Sequence, residues 1–199
     1  TSSTVVEAGT YAENLMASME AMSGTIFRPN ILLARIPRDR DRADELSAVI
    51  ERAREKQVGV LLLEEHEKAG LGLENAIQVW VEERSPEWDL SMELGGFDLA
   101  LLVAYKIAEN WGGRLTICVN ARQEDELGKA ESFLRDLRSA ARMPDAEVFV
   151  GEGTLKKALG ASPGADLNVI PITDQPEYDK LRRITEAAEE NRARVARFM

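Results

Sequence analysis

An alternation constrains this chain more than anything else: apolar runs of strand length take turns with longer stretches whose apolar residues recur every three or four positions. The first run, "RPNILLARIP" from Arg28 to Pro37, is bounded by prolines and reads as a buried strand. In "DRADELSAVIERAREKQ", Leu46, Val49, Ile50 and Ala53 share one face and charges the other, which is the pattern of a surface helix. "VGVLLLEE", Val58 to Glu65, is apolar again, so strand, helix and strand follow in the order of a parallel crossover. In "NAIQVWVEER", Ile77, Val79 and Val81 alternate with Gln78, Trp80 and Glu82, a period of two that predicts a third strand near a sheet edge.

The remainder keeps the rhythm. "LGGFDLALLVAYKIAENWGG" carries a helix from about Asp98 with Leu99, Leu102, Val103, Ile107 and Ala108 apolar. Gly95 and Gly96 turn the chain before it, and Gly112 and Gly113 stop it. "RLTICVN", "AEVFVGE" and "ADLNVIPI" are further strands, separated by the long helix "EDELGKAESFLRDLRSAARM" and the short helix "TLKKALG". At the front, Tyr11, Leu15, Met19 and Met22 mark a lead-in helix over Val5 to Ser23; at the back, "EYDKLRRITEAAEENRARVARFM" is a terminal helix of about six turns. The fold class is therefore α/β: an open, mostly parallel sheet of five to six strands with helices on both faces, plus N- and C-terminal helices. At 199 residues the chain suits one such body better than two full domains.

Charge and cysteine content narrow the function. A net charge of -10 opposes binding to nucleic acid or to an anionic membrane surface, so no nucleic-acid partner is expected. The single cysteine, Cys118, excludes an internal disulfide framework and fits a reducing compartment. In "LALLVAY", Leu99 to Tyr105, the longest apolar run falls short of the roughly 18 residues a spanning helix needs. The chain opens "TSSTVVEAGTY" without an initiator methionine or a signal-peptide layout, as a piece of a longer protein would.

Motifs for chemistry are scarce. The first strand is followed by "RIPRDRDRA" where a dinucleotide fingerprint needs glycines, and no G-x-x-x-x-G-K-[ST] phosphate loop occurs. "GEGT" comes nearest. Gly151, Gly153 and Thr154 stand between a strand and a short helix, where backbone N–H groups can hold an anion, but the same residues also make a tight turn with Thr154 as helix cap. His66 is the only histidine and cannot build a histidine metal site; it reads as an exposed loop residue. Cys118 alternates with apolar neighbours and reads as a small core residue, and no G-x-S-x-G nucleophile turn is present. Carboxylates lie among Arg and Lys on helix faces. The expectation is a non-catalytic protein with no cofactor. In the terminal helix, Leu181, Ile184, Ala188, Asn191, Val195 and Phe198 fall at spacings of three and four, a seam that fits either a dimer contact or packing on the chain's own sheet.

The order "FRPNILLA", "NAIQVWVEERSPEWDLSMELGGFDLALLVAYKIAENWGGRLTICV", "ARMPDAEVFV" and "GADLNVIPI" resembles the cytosolic C-terminal domain of cation-chloride cotransporters, in particular its prokaryotic form. Phe27, Arg28 and Pro29 stand where that family opens its first strand; Asp98 to Leu102, with Asn110 and Trp111, stand where it marks the helix before the fourth. The resemblance runs from about Arg28 to Ile172. It implies a universal-stress-protein-like, Rossmann-like three-layer fold and a regulatory and dimerisation domain on the cytoplasmic side of the cell membrane. It further implies a homodimeric transporter whose membrane-embedded part moves chloride with sodium or potassium. On that reading residues 1–27 lead in from the transmembrane domain, 28–174 form the regulatory domain, and 175–199 add a helix to it or to a dimer contact. The alternative is a free universal-stress-type nucleotide-binding protein using "GEGT". Stress proteins that hold ATP carry an acidic residue where this chain has Ile36 and Pro37, and a glycine-rich loop where it has "TDQPEYDK".

Overall fold

The computed structural model describes residues 9–23, 30–37, 39–65, 70–81, 87–90, 97–172 and 178–195. The chain divides into two compact units, Thr1–Glu64 with Thr173–Leu181, and Glu65–Ile172 with Arg182–Met199. The break at Glu64 falls inside the 28–174 span.

The first unit holds α1 (Tyr11–Ser23), β1 (Ile31–Arg35), α2 (Arg40–Glu55) and β2 (Gly59–Leu63). The lead-in helix starts at Tyr11 rather than Val5, because Thr10 and Glu13 form a reciprocal capping box. Glu13 N–H donates to Thr10 Oγ1 at 3.2 Å, and Thr10 N–H to Glu13 Oε2 at 2.7 Å. β1 and β2 pair in parallel, Leu33 opposite Leu61. One face of this two-stranded sheet carries Leu32 and Val60, which pack with Ala12, Met19, Val49 and Ala53 of α1 and α2. The other face leaves Leu33 64% exposed.

The second unit holds β3 (Ala76–Val81), α3 (Phe97–Trp111), β4 (Arg114–Ala121), α4 (Leu127–Ala140), β5 (Glu147–Glu152), α5 (Leu155–Ala161), β6 (Leu167–Val169) and the main part of α6 (Tyr178–Val195). Its four strands run parallel in the order β5-β4-β3-β6. All six strands expected from the sequence are present and all pairings are parallel, but they hydrogen-bond as sheets of four and two rather than as one sheet of five or six.

Period-two alternation divides the four-stranded sheet into two buried faces. Ile77, Val79 and Val81 of β3, with Leu115, Ile117 and Val119 of β4, meet Phe97, Ala104, Phe133 and Leu134 of α3 and α4. Trp80 and Cys118 meet Ala158 and Leu159 of α5 and Ala187 of α6 on the opposite face. β3 was expected near an edge; it is an inner strand, flanked by β4 and β6. The polar positions that suggested an edge are buried but satisfied. Gln78 Nε2 donates to Pro163 O at 2.7 Å, Ser162 Oγ donates to Gln78 Oε1 at 3.1 Å, and Trp80 Nε1 donates to Asn168 Oδ1 at 3.1 Å.

Candidate functional site

In a parallel sheet of this order the chain reverses direction of progress at β3, between β4 and β6, and ligands of open α/β sheets sit beyond the carboxyl ends of the strands at such a reversal. The described residues at that point are apolar, Val81 on β3 and Val169 and Ile170 at the end of β6. Residues 82–86 and 173–177, which follow the two strands, lie outside the described residues.

Gly151, Gly153 and Thr154 are elsewhere, at the carboxyl end of β5, an outer strand of this sheet. Each has a structural task. A Cβ on Gly151 would stand 2.3 Å from Ala158 Cβ, so the missing side chain lets α5 lie close on β5. Gly153 turns the chain at φ +91°; its N–H donates to Ala121 O at 2.7 Å and its carbonyl accepts from Asn120 Nδ2 at 3.0 Å. Thr154 is the N-cap of α5, its Oγ1 accepting from Lys157 N–H at 3.4 Å. Glu152 adds a carboxylate beside the turn, paired with Lys157 Nζ at 3.1 Å. The arrangement is the turn-and-cap geometry, with Gly153 N–H and Thr154 Oγ1 both engaged inside the fold.

Cys118 is fully buried, and burial alone pushes its thiol far above the ordinary range, so it stays protonated and unreactive. Carboxylates on the helices are exposed and paired with neighbours: Glu131 with Arg135 at 2.6 Å on α4, and Glu109 with Lys106 at 2.7 Å on α3. Glu109 is held below the usual carboxylate range by its hydrogen bond from Lys106 and then that from Tyr105. Among the described residues no group of three or more His, Cys, Asp or Glu side chains is placed to hold a metal ion, and no helix is long and apolar enough to cross a membrane. His66, Gly95, Gly96, Phe27, Arg28 and Pro29 lie outside the described residues.

The terminal seam is partly accounted for. Leu181 is buried, Ile184 and Ala188 are half-buried, and Ala187, adjacent to the seam, packs into the cluster under Trp80. The side chains of Asn191 and Val195, and Phe198 altogether, lie outside the described residues.

One acidic residue was not singled out in the sequence. Asp166, at the start of β6, is buried and accepts three main-chain N–H bonds, from Leu73 at 3.1 Å and from Asn75 and Ala76 at 3.0 Å each. Its one local sign is an acid immediately ahead of an apolar run; its partners lie about ninety positions away in sequence, beyond the reach of any periodicity.

Comparison with known proteins gives two successive family matches. Residues 1–71 match the first part, and residues 72–192 the second part, of the prokaryotic cation-chloride cotransporter C-terminal domain. The two matches meet between β2 and β3, in the connection where the chain also divides into its two units. The crystal structure of the cytoplasmic domain of a prokaryotic cation chloride cotransporter is 40% identical, with a TM-score of 0.79 over 89% of this chain and 67% of that one. A universal stress protein from Archaeoglobus fulgidus DSM 4304 is 17% identical, with a TM-score of 0.49 over 91% of this chain and 61% of that one. No curated protein sequence matches the chain.

Proposed function

The chain belongs to the prokaryotic cation-chloride cotransporter C-terminal domain family, and from that premise we propose that it is the cytosolic regulatory and dimerisation body of a secondary-active transporter moving chloride with sodium or potassium. The observation that carries this reading is that two successive family matches together span residues 1–192. Ion coupling then belongs to the membrane-embedded part of the same polypeptide, to which residues 1–27 lead, while residues 28–174 supply surfaces for assembly and signalling. The built features support a scaffold role: a thiol kept neutral, a glycine turn engaged by its own neighbours, and polar groups spent on holding strands together.

For dimerisation we assign the contact to the outer part of α6 and residues 175–199, because Ala187 already commits the adjacent inner part to the chain's own sheet. Analytical ultracentrifugation of this chain beside Ile184→Lys tests the contact; equal self-association of the two removes α6 from the interface. Chloride-dependent cation uptake by the whole transporter in proteoliposomes, with and without this domain, tests the role. Loss or altered regulation of flux is expected on removal, and unchanged flux with an unchanged dimer would overturn the reading.

A further inference from the structure

The loop ahead of β3 has the backbone of an anion receptor. Gly70, Gly72 and Glu74 all take positive φ, at +50°, +71° and +56°, with the intervening residues not in that region. Alternation of this kind turns successive N–H groups toward a common point, forming the concavity that holds phosphates and other anions in many proteins. Here the N–H groups of Leu73, Asn75 and Ala76 converge on one carboxylate, with Leu73 on Oδ1 and the other two on Oδ2 of Asp166. Asp166 N–H in turn donates to Ala76 O at 2.8 Å, so the residue grips the first position of β3 from both directions.

We infer that residues 73–76 form an anion nest that the chain closes with its own carboxylate, and that the nest, once vacated, takes up a small carboxylate from solution. Three observations carry this. Glu74 adopts a left-handed backbone conformation that a non-glycine residue takes up only at a cost, which the three charge-assisted bonds offset. Asp166 is 5% exposed, so its charge is satisfied by these donors largely without water. Leu73 is 59% exposed, which leaves the outer side of the loop open to a solute of formate size. The effect on the fold is to fix where β3 begins against β6, which sets the register Ile77 to Leu167.

The test is thermal unfolding of the whole chain carrying Asp166→Ala, followed by tryptophan fluorescence at constant ionic strength set with a bulky sulfonate. The midpoint is expected to fall by several degrees. Sodium formate at about 100 mM should recover part of that loss, as mass action requires of a ligand that binds only the folded state, whereas formamide, its neutral analogue, should not. The parent chain should be insensitive to both. A variant that responds to formate no more than the parent does would overturn the inference. If Asp166→Ala does not fold in buffer, Asp166→Asn takes its place, read by amide hydrogen exchange. The amides of Leu73, Asn75 and Ala76 should then exchange at least about tenfold faster while those of β4 keep their protection. Uniform acceleration, or none, would count against a nest.

Discussion

Replacing Gly151 with alanine puts the close approach of α5 and β5 to a direct test. The added methyl would stand 2.3 Å from Ala158 Cβ, 2.9 Å from Ala158 Cα and 3.3 Å from Phe149 Cε1. Carbon atoms rest at about 3.5–4.0 Å, so the overlap exceeds 1 Å and involves backbone, which cannot swing aside as a long side chain does. The helix must move off the strand, loosening Leu159 and Ala158 under Trp80 and disturbing the cap at Thr154. Overpacking of this sort costs about 1–3 kcal/mol, and contact with backbone places Gly151→Ala toward the upper end. Ala158→Gly alone costs about 1 kcal/mol through helix propensity. Combined with Gly151→Ala it removes the worst overlap, so the double variant should be more stable than the two single effects predict by about 1–2 kcal/mol. Urea unfolding read by tryptophan fluorescence suits the measurement, because all three tryptophans, Trp80, Trp88 and Trp111, lie in the second unit. An unchanged m-value would show that the native stability has moved and not the unfolded ensemble. Gly151→Ala within about 0.5 kcal/mol of the parent, or strictly additive behaviour in the cycle, would refute the steric account of this glycine.

Three further outcomes follow from the same geometry. Cys118 is neutral in the folded chain because burial raises its pKa, while in the unfolded chain it ionises near pH 8.5. Its contribution to stability is therefore complete below that pH and lost as pH rises above it, by at most about 1.4 kcal/mol per pH unit. Cys118→Ala should flatten that alkaline slope in urea titrations run between pH 8 and pH 10 (roughly the window above the free thiol's pKa). Ala187→Glu places a charge in the cluster beneath Trp80 and should destabilise the second unit by about 3 kcal/mol or more, with a red-shifted tryptophan emission; a shift in oligomeric state alone would mean this position faces a partner. Thr10→Ala breaks the capping box and should speed amide exchange in the first turns of α1 by about fivefold, corresponding to roughly 1 kcal/mol, with α2 unaffected.

Where the fold was legible in the sequence, local periodicity and burial agreed. β4 alternates Leu115, Ile117 and Val119 with Thr116, Cys118 and Asn120, and both sets are buried because helices cover both faces of the four-stranded sheet. The strand and helix order followed from such runs, and Thr154 declared its cap by preceding an amphipathic turn. The position of β3 was not legible, since Gln78 between Ile77 and Val79 looks the same on an edge as in the interior. Only Pro163 and Ser162, some eighty-five positions on, make burial of that amide affordable. Division of the strands into sheets of four and two was likewise hidden, because pairing between strands leaves no trace in the periodicity of either one.

The candidate site follows the same logic. A glycine pair before a short helix is ambiguous in sequence because an anion cradle and a close-packed turn make the same demand, namely backbone without a side chain. The structure separates them by what each freed group does: Gly151 admits Ala158, and the Gly153 N–H is spent on Ala121. The backbone feature with converging N–H donors is instead the unremarked loop before β3, where one glycine and one left-handed Glu74 surround a carboxylate supplied from the far end of the sheet. Sequence motifs for anion binding look for the receptor beside a strand's carboxyl end, whereas this one lies at the amino ends of β3 and β6 and holds a structural anion. In a domain whose family works beside a chloride pathway, that placement separates anion geometry from anion transport: the nest orders the sheet, and its occupant belongs to the chain.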